Sequence, residues 1–282
     1  MEIGLQTFTV RKLIRTPKAL DETFGKLAAL GLHNLELAVD YLAFPFTPDT
    51  ARMIGAVAKR CGLRIASCQI KYATAAKDVP ATIVFMQELG AEILVNSVID
   101  MKLLNKGVGG LLRHCEMLEA LREKLAPGGI SLAHHNHHYE FLRVADLSLT
   151  TFGRGHRTSD YINVKARRST DVVSVLDFMA ANSSVDFTLD TYWCQRGGGN
   201  ILTLLEALKG RVPVLHLRDF AMTKSGLITG GKDSEIGRGN IPFDAVCRAA
   251  EAAGVKYGMI EQNTKFPLKS VKISLEGLGR AY

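Results

Sequence analysis

SLAHHNHHYEF, residues 131–141, holds four of the eight histidines of the chain. The segment begins as an apolar run that predicts a buried strand, and it turns polar where that strand would end. Side chains alternate between the two faces of a strand, so His135 and His137 point one way while His134 and His138 point the other. Imidazoles fixed at a strand end are typical divalent-metal ligands. We expect one of these faces to line a site; a surface loop with scattered histidines is the competing interpretation.

Strand-like runs alternate with amphipathic helical stretches on both sides of this segment. Eight such strand–helix units in 282 residues are typical of a single-domain α/β protein, the (β/α)8 or TIM barrel, spanning residues 1–282. A doubly wound sheet is the competing topology, but TFTVR after the first strand lacks its glycine fingerprint. We predict an irregular insertion at about 142–169 and a glycine-rich loop at 226–239. The histidine segment is the fifth strand, and the others are predicted at 3–8, 34–37, 64–70, 92–98, 185–190, 212–217 and 256–261.

Composition narrows the class of protein. With 47% hydrophobic and 22% charged residues the chain can bury a full core, which excludes a disordered or fibrous protein. The sequence has no apolar run of about 18 residues and starts directly with a strand-like segment, so we expect a cytoplasmic protein without a membrane partner. Five scattered cysteines without a CxxC pair predict neither disulfides nor a zinc knuckle. The net charge of +7 is spread out and lacks interleaved aromatics, which argues against a nucleic-acid partner.

The carboxyl ends of the strands should hold the active site, because that is where barrel enzymes place it. Bringing Glu36, Asp190 and Glu261 together there without a counter-charge would be unfavourable, and a divalent cation would offset the repulsion. We expect Asp190, His216 and Glu261 to be metal ligands, with His135 as the candidate fourth. Each also has a structural interpretation, as a helix cap, a core histidine or an ion-pair partner.

The loops after strands six and seven add candidate substrate contacts. Trp193 is the only tryptophan, and its indole suits either stacking on a sugar ring or core packing. Arg196, followed by glycines at 197–199, offers a guanidinium and backbone amides to a hydroxyl-rich or anionic group. Arg218, which follows the seventh strand, would line the rim of the active site. The substrate-binding candidates are Gln6, Glu36, Gln69, Trp193, Arg196 and Arg218.

With these residues in hand, the chain resembles the sugar phosphate isomerase/epimerase family, the xylose isomerase-like TIM barrels. The resemblance covers nearly the whole chain and implies one divalent metal, often Mn, Mg, Co or Zn, chelated by adjacent substrate oxygens. By position, Asp190, His216 and Glu261 match three ligands of the family. The matching motifs are GLQTFTVR at 4–11, HNH at 135–137 with EF at 140–141, LDTYW at 189–193 with GGG at 197–199, LHLRD at 215–219, GRGN at 237–240 and IEQ at 260–262.

The sequence departs from the family pattern at three positions. The fourth ligand of relatives is usually a strand-five glutamate, and here His135 takes that place with Glu140 a few residues later. Imidazole lacks the charge of a carboxylate, so the familiar two-glutamate proton transfer does not carry over directly. Gln69 stands where relatives often carry histidine, and Asn263 replaces an acid. The resemblance also implies that such chains often associate, so a homo-oligomer is one expectation.

The leading hypothesis is a metal-dependent sugar isomerase or epimerase acting on a keto-sugar or polyol. The metal would polarise a carbonyl or diol, an adjacent C–H proton would be removed, and the enediolate would be reprotonated. Glu261 and either His137 or Glu140 are the candidate base and acid. If the same enediolate expels a β-substituent, the protein is a lyase, either an inosose-type dehydratase or a 3-keto-glycoside eliminase.

Two further classes use the same barrel. Abasic-site endonucleases hold a trinuclear zinc cluster that needs a histidine three residues after the strand-six aspartate, a position that Trp193 occupies here. A non-catalytic accessory barrel would bind a sugar, or would need a partner subunit to complete its site. Loss of activity in the isolated chain despite metal binding would point to that class.

Overall fold

Ten strands lie within the part of the chain that the computed structural model describes, residues 1–144, 173–225 and 228–279. Strands β1–β7 and β10 close a parallel barrel in the order β1-β10-β7-β6-β5-β4-β3-β2, while β8 and β9 form a separate antiparallel hairpin. The predicted TIM barrel, with the histidine strand as its fifth, is therefore confirmed. The strands are β1 Glu2–Gln6, β2 Asn34–Ala38, β3 Arg64–Ile70, β4 Ile93–Asn96, β5 Ser131–His135, β6 Asp186–Asp190, β7 Val214–Leu217, β8 Asp219–Ser225, β9 Ile228–Ser234 and β10 Tyr257–Ile260.

Helices follow the strands and cover the outside of the barrel. Thr16 and Thr47 cap two of the helices. The side chain of each accepts the backbone N–H of the residue three positions later, and a proline follows each cap. No helix of the described residues is both long and apolar enough to cross a bilayer. The helices are α1 Pro17–Ala29, α2 Pro48–Arg60, α3 Tyr72–Ala75, α4 Val79–Leu89, α5 Met101–Leu104, α6 Gly107–Leu125, α7 Val175–Asn182, α8 Thr191–Arg196, α9 Ile201–Ala207, α10 Phe243–Ala253 and α11 Pro267–Leu278.

The apolar core has two parts, and their separation explains where the polar strand ends point. A large cluster fills the layer between strands and helices, and a small one, which includes Ala133, Val214 and Met259, fills the inside of the barrel. Alternate residues of a strand share a face. The residues two positions after these three are His135, His216 and Glu261, so their side chains enter the same interior, one layer closer to the carboxyl ends of the strands.

The two irregular segments predicted from the sequence fare differently in the structure. The predicted glycine-rich loop at 226–239 is wrong in part, because residues 219–225 and 228–234 pair as the strands β8 and β9. One of its glycines serves this pairing: a Cβ on Gly231 would lie 1.9 Å from the Phe220 ring, so only glycine lets that ring pack there. Most of the insertion predicted at 142–169 lies outside the described residues. At its flanks, Arg143 and Ser174 form an antiparallel bridge.

Candidate metal centre

Four buried side chains converge at the carboxyl end of the barrel. They come from β5, β6, β7 and the residue that follows β10, and one ligand atom of each lies within 4.8 Å of the others. His216 Nδ1 is 3.0 Å from Glu261 Oε2 and 3.9 Å from Asp190 Oδ2. His135 Nε2 is 3.6 Å from Asp190 Oδ2. The structure thus brings together the four residues that the sequence analysis proposed as ligands.

The donor set of this cluster fits one divalent metal ion. His135 Nε2, Asp190 Oδ2, His216 Nδ1 and Glu261 Oε2 are all buried, and none has a hydrogen-bond partner among the described residues. Leaving one buried polar atom unpaired is costly, and four unpaired atoms facing one another would be unusual in a purely structural core. Two imidazoles and two carboxylates are the ligands that borderline divalent metals prefer.

Each candidate ligand has a second polar atom, which faces away from the cluster and contacts another group of the protein. Such outer contacts fix the orientation and tautomer of metal-binding side chains. Asp190 fills both roles that the sequence analysis considered, because one carboxylate oxygen caps α8 while the other faces the cluster. The partners are Ser97 O for His135 Nδ1 (3.3 Å), Glu36 Oε1 for His216 Nε2 (2.7 Å), the Trp193 amide for Asp190 Oδ1 (2.8 Å) and Arg218 Nη1 for Glu261 Oε1 (3.0 Å).

Glu36 contacts the candidate ligand His216. Its predicted role as a substrate contact does not fit this placement. The residue is fully buried, and both oxygens are engaged, one by His216 and the other by Ser67 Oγ at 2.7 Å. Burial would lower the pKa of His216, but the negative charges of Glu36 and Glu261 raise it to about 10. A strand-end position alone could not tell whether this side chain faces the substrate or lies beneath a ligand.

Gln6 and Gln69, at the ends of β1 and β3, contact each other. Gln6 Nε2 donates to Gln69 Oε1 at 2.6 Å, and both side chains are buried. Their role in substrate binding stays a prediction.

Arg218 lies inside the site and not at its exposed rim, where the sequence analysis placed it. Only 5% of the residue is exposed. Its Nη1 contacts Glu261 and lies 3.6 Å from Asp190 Oδ2, and its Nη2 donates to Asp233 Oδ2 at 2.9 Å. Burial would raise the pKa of Glu261, but the positive charges of Arg218 and His216 hold it well below the usual range. Asp233 was missed because the sequence analysis did not predict the hairpin that carries it.

Trp193 and two histidines form an aromatic edge beside the cluster. The indole centroid is 5.1 Å from that of His137 and 5.3 Å from that of His138, which stacks on it at 29°. The ring of His137 is also 4.8 Å from that of His135. Burial lowers the pKa of His137 to about 3, so its imidazole is neutral. Arg196 is exposed behind this edge and donates to Tyr192 Oη at 2.9 Å.

Glu140 is not part of the cluster, although the sequence made it a candidate catalytic group. It is fully buried, with Oε1 at 3.2 Å from His134 Nε2 and Oε2 accepting the His137 amide at 2.8 Å.

The glycines after Arg196 have a packing role here. A Cβ on Gly197 or Gly199 would lie 2.4 Å from the ring of Phe141, so these glycines let the turn after β5 pack closely against the segment after α8.

No protein-family model matches the chain, and no curated protein sequence matches it. Among solved structures it is similar to a sugar phosphate isomerase/epimerase from Parabacteroides distasonis ATCC 8503, with a TM-score of 0.71, 18% identity and coverage of 98% of this chain and 93% of that one. The chain has the xylose isomerase-like TIM-barrel fold.

Two other structures with this xylose isomerase-like barrel cover 99% of both chains. They are a 3-keto-D-glucoside 4-epimerase from E. coli, with a TM-score of 0.65 and 13% identity, and a probable 3-DHS dehydratase from Bacillus anthracis, with a TM-score of 0.66 and 10% identity. At these identities the likeness establishes the fold alone, and the reaction has to be argued from the site.

Proposed function

We propose that this chain is a divalent-metal-dependent enzyme that isomerises or epimerises a keto-sugar or polyol through an enediolate. The observation that carries the proposal is the cluster of four buried, unpartnered ligand atoms on His135, Asp190, His216 and Glu261. Two imidazoles in the set favour Mn, Co or Zn over Mg, which prefers oxygen ligands. When bound, the metal would polarise a substrate carbonyl and stabilise the negative charge that develops on its oxygen.

One group of this chain suits transfer of the substrate proton, and a second suits a hydrogen bond to a substrate hydroxyl. Glu261 presents Oε2 to the cluster while Arg218 holds its other oxygen, so the carboxylate is oriented and kept ionised. His137 carries a neutral imidazole with a buried, unpartnered Nδ1, next to both His135 and Trp193. We assign to Glu261 both the removal of the proton and its return to the enediolate, and assign to His137 the hydrogen bond that orients a substrate hydroxyl.

The substrate class follows from polar atoms that still need partners beside the cluster. Arg218 Nε is a free donor, and Asp233 Oδ1 is a free acceptor among the described residues. A hydroxyl group both donates and accepts, so a small polyhydroxylated molecule complements this set. The partly exposed indole of Trp193 offers an apolar face of the kind on which a sugar ring stacks.

A lyase with the same first step is the second candidate. Glu140 lies outside the cluster, where His134 and the His137 amide engage it, so Glu261 is the carboxylate that we assign to proton transfer. A single proton-transfer carboxylate suits removal of a proton followed by loss of a β-substituent. One of the structures with a similar fold is a probable dehydratase.

The experiment combines metal analysis with solvent exchange. The purified protein is loaded with Mn, Co or Zn and incubated in D2O with neutral keto-sugars and 3-keto-glycosides, and the substrates are followed by NMR. Deuterium at the carbon beside the carbonyl, with an isomer or epimer as product, supports the proposal. An ultraviolet-absorbing enone identifies the lyase instead.

The control is Asp190→Asn, which keeps the cap on α8 and removes a ligand charge. It should lose both the metal and the exchange. One metal per wild-type chain without any exchange would favour the accessory barrel. A wild-type protein that binds no metal would refute the proposal.

A further inference from the structure

A continuous chain of buried hydrogen bonds lies next to the cluster and ends at the backbone of His137. Tyr72 N donates to Asn96 Oδ1 at 3.0 Å, and Asn96 Nδ2 lies 3.0 Å from His134 Nδ1. His134 Nε2 is 3.2 Å from Glu140 Oε1, and Glu140 Oε2 accepts the amide of His137 at 2.8 Å. The three linking side chains, Asn96, His134 and Glu140, are 0% exposed. The chain therefore joins the ends of β3 and β4 to the turn that follows β5.

The backbone at one end fixes the direction of every bond in this chain. The Tyr72 N–H requires the oxygen of the Asn96 amide at that position, so the NH2 group of Asn96 faces His134. His134 Nδ1 must then be the acceptor, which places the ring proton on Nε2, pointing at Glu140. Glu140 receives a donor on each oxygen and is bound as a carboxylate. No proton is left over that Glu140 could give to a substrate.

Glu140 also lies in a turn that is packed against the aromatic edge of the site. Its neighbour Phe141 rests on Gly197 and Gly199, the segment that follows α8 and Trp193. The turn carries His137 and His138, whose rings contact the indole of Trp193. A shift of this turn would move both histidines relative to the cluster.

We propose that Asn96, His134 and Glu140 act as a positioning chain that holds the turn 136–141, so that the imidazole of His137 stays beside the cluster. The role of His137 toward substrate rests on the proposed function, but the positioning of the turn does not. Glu140 is accordingly a positioning residue and not the proton-transfer group that the sequence analysis offered as one of two candidates beside Glu261.

The single tryptophan reports the position of the turn directly, because Trp193 is the only indole and contacts both histidines. Intrinsic fluorescence and acrylamide quenching are measured on the full chain for wild type, Glu140→Gln and His134→Ala. Glu140→Gln turns one acceptor oxygen into a donor that must face either the His137 amide or His134 Nε2–H, so one bond is lost. We expect both variants to shift the emission to the red and to raise the quenching constant. The matched control is Thr82→Ala, since Thr82 is equally buried but its hydroxyl donates to the carbonyls of Ala75 and Asp78 and to no member of the positioning chain.

Metal content is measured on the same samples, so that failure of the two proposals can be told apart. Retention of metal in Glu140→Gln, together with altered Trp193 quenching, supports the positioning chain. Unchanged quenching in both folded variants overturns it, whatever the metal content. If the variants do not fold, the wild type still decides by ¹⁵N NMR of its histidines: the Nε2–H tautomer of His134 is expected, and the Nδ1–H tautomer would refute the chain.

Discussion

Metal binding should be strongly coupled to proton release, because the negative charges of Glu36 and Glu261 keep the ligand His216 protonated on both ring nitrogens, Nδ1 included. With a pKa of about 10 for that imidazole, nearly all chains carry the proton at pH 7. A metal that takes Nδ1 must displace it, which opposes binding by about 4 kcal/mol at pH 7, since each pKa unit corresponds to about 1.4 kcal/mol. The apparent affinity should therefore rise about tenfold per pH unit between pH 7 and 9. Replacing Glu36 by Gln should flatten this dependence, because the neutral amide no longer favours the imidazolium.

Isothermal titration with Mn²⁺ in buffers of different ionisation enthalpy measures both the affinity and the protons released. The wild type should release about one proton per metal at pH 7, and Glu36→Gln should release fewer. Ser67→Ala is the control, since it removes one neutral hydrogen bond to Glu36 Oε2 and leaves the charge in place. Proton release that is equal in the wild type and Glu36→Gln would refute the reasoning.

Three further outcomes test the packing and charge around the site. Burial lowers the pKa of His114 from 6.5 to about 3, so its neutral form stabilises the fold above pH 6.5 and this contribution fades as the pH falls. Between pH 8 and pH 5 the free energy of unfolding, measured with urea, should fall by about 2 kcal/mol more in the wild type than in His114→Leu. Gly197→Ala should cost about 1–3 kcal/mol by pushing a Cβ into Phe141, whereas Gly25→Ala, with open space around it, should not destabilise. Asp219→Asn should cost about 3–6 kcal/mol, because two of the four amides that its oxygens accept would lose their acceptor; the exposed Asp244→Asn is its control, and equal thermal midpoints for the two would contradict this account.

The barrel could be predicted because each strand combines an apolar run with a change of period into a helix, and the polar residues that end the strands stand out against those runs. The ligand set followed from the same feature: Asp190 and Glu261 stand at the ends of largely apolar strands, and His216 interrupts an apolar run. The hairpin was missed because Gly230 and Gly231 resemble a loop in sequence, while in the structure one of them makes room for Phe220.

The functions of Glu36 and Glu140 could not be predicted from the sequence, because each depends on a side-chain partner that only the folded path of the chain selects. Glu36 contacts His216 across the barrel, and Glu140 is engaged by His134 on the opposite face of β5 from His135. Strand periodicity does separate His134 from His135. It does not reveal which carboxylate each imidazole meets, since that depends on the closure of the barrel and on the path of the turn.

The β8–β9 hairpin divides the site into two parts that can evolve at different rates. The four candidate ligands belong to the barrel strands or directly follow them, where a substitution disturbs the packing of neighbouring strands. Asp233, which anchors Arg218, lies instead on a hairpin whose strands pair only with each other among the described residues. Hairpin residues other than Asp233 can therefore change without altering the strands that carry the four candidate ligands, whereas Asp233 links the hairpin to Glu261 through Arg218.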